Sequence, residues 1–203
     1  MATKLRQFLV VSASGMILGL GSVYFAKANF GFDPLTTMMS GFSNQSGIEL
    51  SIANALLNAL FCVWVLFLKP KNLGFGTLAF LISSSLAIDI GMSYLPELSS
   101  YARPIGFAFG IILISAAIAI ASKVNCGKNP YDALCFSLME KLNLSYNIMR
   151  LIIDSILLGL GIVLGGAYGV GTIISVLMIG NVSLFFMKRI DNWPRFLSFV
   201  NEE

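Results

Sequence analysis

Two charged residues stand at the edge of a long apolar stretch of this sequence. Arg150 and Asp154 are four residues apart, and no charged residue occurs in residues 155–187. Side chains at positions i and i+4 lie on one face of a helix, so the two can form an ion pair. Because an unpaired charge is costly in lipid, the pair is expected to face a bundle interior. It is either a structural clamp or a gate or coupling-ion site.

A short polar phrase occurs twice, at an offset of 96 residues. KANFGFDP occupies residues 27–34 and KVNCGKNP occupies residues 123–130. Asp33-Pro34 and Asn129-Pro130 read as helix N-caps followed by Pro at the first helical position. The following helices, predicted over 34–42 and 130–142, are too short or too polar to span a membrane. They are expected to be broken or re-entrant half-helices, or interfacial helices that brace the bundle.

The composition places the chain in a membrane. It is 57% hydrophobic and 11% charged over 203 residues, with a mean hydropathy of +0.84. A soluble domain of this size could not bury so much apolar surface, so lipid must cover the remainder. Apolar segments of roughly 20 residues, enough to cross a bilayer, predict six spans. They lie at 8–26, 50–68, 73–95 and 104–122, with two more divided by the Gly-rich stretch 165–171.

The distribution of Lys and Arg orients these spans. With both termini in the cytoplasm, eleven of the 13 basic residues lie inside, and Lys27 and Arg103 alone lie outside. The excess of inside charge follows the positive-inside rule. We therefore expect a multi-pass protein with cytoplasmic N- and C-termini. The tail after the last span, residues 191–203, is expected to lie on the inner interface with Trp193 at headgroup level.

The repetition extends beyond the duplicated phrase. At the offset of 96, Asn54 aligns with Arg150 and Asn58 with Asp154, while GFGT (residues 74–77) aligns with GVGT (residues 169–172) at an offset of 95. Each half holds three spans, so the second must enter the membrane inverted. The predicted fold is an all-α integral membrane protein with a 3+3 inverted-topology repeat over residues 1–98 and 99–190.

These motifs together resemble the YczE/YitT group of small bacterial membrane proteins. GxDP and GxGT carry the resemblance in the first half, and NPYD, Arg150 with Asp154, LGG (residues 164–166) and GVGT carry it in the second. The resemblance covers most of the chain and implies the bacterial inner membrane. The YczE type often has Arg before Asp132, where this chain has Tyr131. No substrate follows from the resemblance.

The candidate substrate or coupling-ion residues are the polar side chains of the short helices and the spans. They are Asn29, Asp33, Asn54, Asn58, Asn125, Asn129, Asp132, Arg150, Asp154 and Asn181. For each, a structural role in capping a helix or bonding a neighbouring helix is the alternative. The residues expected to shape the turns and span starts are Gly31, Pro34, Gly76, Thr77, Gly127, Pro130, Gly171 and Thr172.

Enzyme chemistry finds little support. The chain has no His, and Cys62, Cys126 and Cys135 form no metal-binding spacing. We expect no catalytic residues, no metal, no cofactor and no nucleic acid. The expected partners are the bilayer, a small solute of unknown identity and, as an open alternative, a second copy in a homodimer.

The functional prediction is a small secondary transporter or permease with its site between the inverted halves. A carboxylate would carry any coupled proton because no imidazole is present, and Asp154 is the most deeply placed acid. A zwitterionic or cation-coupled solute fits helix N-termini and carboxylates together. The alternatives are a non-transporting membrane protein that stabilises a partner complex, and a substrate-capturing subunit of a vitamin importer.

Overall fold

The computed structural model describes residues 2–201, without the side chains of residues 2, 50 and 51. All regular structure in this range is helical. Nine α-helices are α1 (Ala2–Ala28), α2 (Pro34–Ser46), α3 (Leu50–Leu68), α4 (Phe75–Tyr94), α5 (Arg103–Ser122), α6 (Pro130–Leu142), α7 (Tyr146–Val163), α8 (Val170–Asp191) and α9 (Pro194–Asn201), with a short 3-10 helix at Pro70–Asn72. The prediction of an all-α chain is confirmed.

Five of these helices are long and apolar enough to cross a membrane, namely α1, α4, α5, α7 and α8. Large apolar side chains face outward along them, and Ile82 and Ile105 are 69% and 73% exposed. Lipid is the environment in which such surfaces are stable. The chain is therefore a multi-pass membrane protein. In α3 the apolar segment with described side chains, Ile52–Leu68, is shorter, so a sixth span stays a prediction.

Helix α1 lies between α4 and α5 in close contact with both. Gly15 and Gly19 face the backbone of α4 at Phe80 and Ser84, while Gly21 faces α5 at Ile114. Small residues allow helix backbones to approach closely where lipid offers no competing hydrophobic drive. The order of these contacts shows that α1 runs parallel to α4 and antiparallel to α5.

Helices α2, α3 and α5 to α8 also pack in pairs. Helix α5 packs along α8, and the Ser115 hydroxyl donates a hydrogen bond to the Ile179 carbonyl. Helix α2 packs on α7, where Gly41 meets Gly161, and α6 packs on α3, where the ring of Tyr131 lies 5.9 Å from that of Phe61. Each short helix therefore packs mainly on a long helix from the other half of the chain.

Two irregular turns connect α1 to α2 and α5 to α6, and each turn docks on a motif from the other half. The Gly171 N–H donates to the Phe30 carbonyl at 2.8 Å, and the Gly76 N–H donates to the Cys126 carbonyl at 2.7 Å. The Phe30 and Cys126 carbonyls lie in the turns, outside any helix, and these bonds supply their hydrogen-bond donors. We call the two turns the first turn (residues 29–33) and the second turn (residues 125–129). The segments on which they dock are the second GxGT motif (residues 169–172) and the first GxGT motif (residues 74–77), respectively.

The turn glycines have no room for a side chain. Gly31 and Gly127 adopt φ of +105° and +106°, in a region that L-residues rarely occupy. A Cβ at Gly31 would lie 2.5 Å from the Thr172 Oγ1, and one at Gly127 would lie 2.5 Å from the Gly74 nitrogen. Both glycines are therefore required by the backbone angle and by the close approach of the partner motif.

The short helices begin where the sequence predicts. Asp33 caps α2, and its side chain accepts from the Thr36 N–H at 3.4 Å and the Thr36 hydroxyl at 2.6 Å. Asn129 precedes α6, whose bounds match the prediction. Helix α2 runs to Ser46 rather than residue 42, because the chain keeps helical hydrogen bonds until Gly47 turns left-handed at φ +71°.

The C-terminal helix is attached to the bundle. Val200 is fully buried and packs in a cluster with α1, α4 and the start of the second turn. The Asn201 side chain donates to the Lys123 carbonyl at 2.9 Å and accepts from the Asn125 N–H at 3.0 Å. Trp193 is 59% exposed, as an interfacial residue would be. The tail predicted to lie on the interface thus also forms part of the bundle.

Alanine substitution of three glycines separates steric fit from backbone strain. We expect Gly127→Ala to destabilise the protein by about 2 kcal/mol or more, since both φ and space are lost. Gly47→Ala, at φ +71° with nothing within 4 Å, should cost about 1 kcal/mol. Gly159→Ala, helical and open, is the control and should cost nothing. Thermal unfolding in detergent measures all three; equal melting temperatures for Gly127→Ala and Gly159→Ala would contradict the docking of the second turn.

Candidate functional site

A group of buried charged and phenolic side chains lies where α6 meets α7. The Arg150 guanidinium donates through Nη1 to the Asp132 carboxylate at 3.0 Å and to the Tyr146 hydroxyl at 2.9 Å. The Tyr146 hydroxyl donates to the same Asp132 oxygen at 3.1 Å. The Tyr131 hydroxyl donates to Asp154, which faces the Arg150 Nε at 3.5 Å. We call these five residues the Arg150 cluster.

Local structure explains how the five side chains meet. Tyr146, Arg150 and Asp154 follow one another at four-residue spacing on α7, so they lie on one face. Asp132 and Tyr131 come from the first turn of α6, where a carboxylate suits the positive end of the helix. The Arg150 guanidinium also lies over the Tyr131 ring, 5.0 Å from its centroid.

A glycine on the neighbouring helix makes room for the arginine stem. A Cβ at Gly180 on α8 would lie 3.5 Å from the Arg150 Cδ, which is ordinary van der Waals contact. The stem of Arg150 therefore runs close along α8 before its head turns toward α6.

The cluster is closed to solvent and carries an excess of negative charge. Arg150, Asp132 and Asp154 are 6%, 3% and 3% exposed. One guanidinium faces two carboxylates, so the cluster has a net charge of −1 when both acids are ionised. The Arg150 Nε is buried without a hydrogen-bond acceptor. One bound proton or monovalent cation would neutralise the group, which is the chemistry that this arrangement can perform.

Other predicted site residues surround the cluster. The Asn129 amide donates to the second Asp132 oxygen at 3.2 Å, which extends the network to the second turn. Asp33 lies at the start of α2, where its carboxylate accepts hydrogen bonds from Thr36, and α2 packs on α7. Both short helices therefore pack on α7.

Asn54 and Asn58 form the equivalent pair on α3. The Asn58 amide donates to the Asn54 side-chain oxygen at 2.6 Å and to its carbonyl at 2.9 Å. Asn58 is buried, whereas Asn54 is partly exposed. The two halves therefore place a neutral amide pair and a charged pair at matching positions, and their hydrogen bonds differ accordingly.

Three predicted residues lie away from the cluster. Asn29 has φ +56° in the first turn and lines a small surface cavity. The exposed Asn125 donates its backbone N–H to Asn201 of the tail. Asn181 is exposed and bonds the Leu177 carbonyl and the Asn147 amide. Of these three side chains, that of Asn181 links α8 to α7 at the surface.

Sequence reasoning missed the two tyrosines and the pairing of turns with motifs. Tyr146 stands four residues before Arg150, so the spacing that identified Asp154 would also have identified it. In the sequence Tyr131 stands out only as a departure from the YczE pattern, although a phenol beside an N-terminal acid can bond a deeper carboxylate. No local signal links Gly31 to Thr172, because that contact is long-range. Within residues 2–201, no three potential ligand side chains gather to hold a metal ion.

Removing the cation from the cluster should destabilise the protein strongly. Arg150→Met leaves two carboxylates buried without their partner, a loss of about 3–5 kcal/mol. Asn54→Met, at the matching position of the first half, removes only a neutral amide and should cost about 1 kcal/mol. Chemical denaturation in detergent compares the two variants. Similar losses would show that the Arg150 cluster contributes no more than an ordinary interhelical hydrogen bond.

Comparison with known proteins finds relatives of the chain but assigns no activity to them. The chain is 29% identical over 181 residues to an uncharacterized protein of Haemophilus influenzae, covering 88% of this chain and 82% of that protein. It is 26% identical over 185 residues to the uncharacterized protein YyaS of Bacillus subtilis, covering 87% and 90%. No solved structure matches significantly. Residues 5–188 match a family of unknown function, DUF6198, and the chain belongs to that family.

Proposed function

We propose that this protein is a small secondary transporter whose central site is the Arg150 cluster. The observation that carries the proposal is a buried group of one cation and two carboxylates, held by a helix N-terminus and a long apolar helix. Ionisable groups inside membrane proteins are costly and commonly mark ion or substrate pathways. Helix α2 of the first half and α6 of the second half both pack on α7, which supports a site shared between the halves.

The proposed architecture is a 3+3 inverted repeat with α3 counted as the sixth span. Helices α1 to α4 correspond to α5 to α8, and the antiparallel packing of α1 on α5 supports opposite directions for the halves. The matching bonds of the two docked turns support the same correspondence. In transporters built this way, broken helices meet near the midplane and one half moves against the other.

The proposed cargo is a small zwitterionic or cation-coupled solute. The net charge of −1 favours a proton or a monovalent cation, while Arg150 and the start of α6 favour an anionic group. A solute with an amine and a carboxylate satisfies both. Since the chain has no His, Asp154 or Asp132 would carry any coupled proton.

One observation favours a second candidate, a membrane protein that steadies a partner complex without transport. The Arg150 cluster is closed, and the grooves at the first and second turns are lined by other residues. A permanently closed cluster would act as a clamp between α6 and α7. The proposed transporter instead requires that the cluster opens in another state.

We further propose that the chain lies in a bacterial inner membrane with both termini in the cytoplasm. The resemblance to the YczE/YitT group and the relatives from two bacteria support the location. The orientation rests on the basic residues at the end of the bundle where α1 begins. Lys4, Lys71 and Lys128 border one groove there. We call this end the basic end.

Single thiols test the topology. In a variant without Cys62, Cys126 and Cys135, we expect Pro70→Cys to be labelled from the cytoplasm and Ser99→Cys from the opposite side. The reason is that α4 alone separates the two positions. Membrane-impermeant maleimide on intact cells and on inverted vesicles measures the sidedness. Labelling of both positions from one side would exclude the six-span topology.

A substitution of the Asp154 carboxylate tests the proposed transport. We expect proteoliposomes with the wild-type protein to give solute-dependent currents for at least one zwitterion when amino acids and amines are screened under an imposed pH gradient. Asp154→Asn should abolish that current, because the amide cannot take up a proton, and it should leave the melting temperature nearly unchanged. Asn58→Ala, at the matching position on α3, is the control and should retain the current.

The opposite pattern supports the second candidate. If no solute gives a current with the wild-type protein and Asp154→Asn is markedly destabilised, the Arg150 cluster is a clamp. A stable membrane partner that co-purifies with the wild-type protein but not with Arg150→Met would then support the second candidate further.

A further inference from the structure

A groove lies at the basic end, separate from the Arg150 cluster. It has a volume of about 980 Å³ and lies between α1 and α4, with the second turn at its end. Lys4, Lys71 and Lys128 stand around this end of the groove, while Ser12 and Ile82 line its length. A groove of this kind has a cationic head and an apolar body.

Unlike lysines close to them, the three lysines form no ion pair within residues 2–201, and the Lys128 ammonium lies over the Phe136 ring, 5.2 Å from its centroid. Lys69 is paired with Glu140, and Lys123 with Asp191 at 2.5 Å. Burial lowers the pKa of Lys128, and the neighbouring Lys69 and Lys123 lower it further against the opposing effect of Asp132. The head of the groove therefore holds positive charge that an anion would stabilise.

The body of the groove suits a hydrocarbon chain. Along α1 it extends from Lys4 to Met16, a rise of ~18 Å, slightly more than half the ~30 Å thickness of a bilayer's hydrocarbon. Leu5, Leu78 and Ile82 line it and are 60%, 61% and 69% exposed. A small aqueous anion would leave these walls unfilled.

The matching cavity at the other end of the bundle provides an internal comparison. It is formed by the first turn on the second GxGT motif, has a volume of about 360 Å³ and has no basic residue in its lining. At the offset of 96, Lys128 corresponds to Phe32, which lines that cavity. The same backbone arrangement thus carries a cationic groove at the basic end alone.

We propose that this groove binds an anionic phospholipid from the leaflet at the basic end. The phosphate lies among Lys4, Lys71 and Lys128, and one acyl chain runs along α1 and α4. Charge complementarity selects the headgroup, because each lysine near a membrane surface adds attraction for an anionic lipid. The groove also adjoins Gly127, so a bound lipid contacts the second turn where it docks on α4.

The experiment titrates delipidated protein in neutral detergent with dioleoylphosphatidylglycerol and reads binding by native mass spectrometry. Dioleoylphosphatidylcholine tests the charge, and glycerol 1-phosphate tests whether the headgroup alone suffices. We expect phosphatidylglycerol to bind about tenfold or more tightly than phosphatidylcholine, and glycerol 1-phosphate to compete weakly. The variant Lys4→Gln, Lys71→Gln, Lys128→Gln should bind both lipids equally.

The matched control removes three basic residues outside the groove, in Lys141→Gln, Lys188→Gln, Arg195→Gln. It should keep the preference for phosphatidylglycerol. If the groove variant does not fold, Lys71→Gln alone, at an exposed position, should still weaken the preference severalfold. An equal loss in the groove and control variants would overturn the proposal, as would equal binding of both lipids by the wild type or full competition by glycerol 1-phosphate.

Discussion

The docking of backbone turns on glycine motifs is the constraint on which this fold depends. Irregular backbone that packs against a helix is shielded from water, so its polar groups must find partners within the protein. The carbonyls of Phe30 and Cys126 find them in the Gly171 and Gly76 N–H groups of the opposite half. Since each turn fixes the start of a short helix, these bonds also determine where Asp33, Asn129 and Asp132 are held.

The Arg150 cluster is charged, whereas the residues at the matching sequence offset in the first half of the chain are neutral. Asn54 and Asn58 hold each other by neutral hydrogen bonds, whereas Arg150 and Asp154 draw Asp132 and two tyrosines into a network. Burying such a network costs solvation, and apolar residues of similar volume often stabilise a protein equally well. A cluster that serves only as a clamp would therefore be a costly way to join α6 to α7, which favours a role in binding.

Much of the fold could be predicted from local sequence. Hydropathy predicts the long helices, and the Asp-Pro and Asn-Pro dipeptides predict where α2 and α6 begin. Both signals can be read because they depend on neighbouring residues alone. The four-residue spacing placed Arg150 and Asp154 on one face of α7. The C-terminal limit of α2 was missed because no strong breaker precedes Gly47.

The remaining contacts join residues far apart in the chain, and they cannot be inferred from a single sequence. The residues around Gly31 do not predict its contact with Thr172, and the residues around Val200 do not predict its burial beside Val11. Internal repetition revealed that two turns and two motifs existed, but repetition does not say whether a turn docks within its own half or across. Packing of the short helices decides that choice, through contacts such as Gly41 with Gly161.

The crossed docking has a consequence for how the chain matures. Thr37 at the start of α2 bonds the Ala167 carbonyl, 130 residues further along. The first turn therefore has no partner until nearly the whole protein has been synthesised and inserted. Contacts of such sequence separation form late, because the chain between their ends must first be ordered. During translation the early helices remain incompletely packed at the first turn until α8 follows with the second GxGT motif.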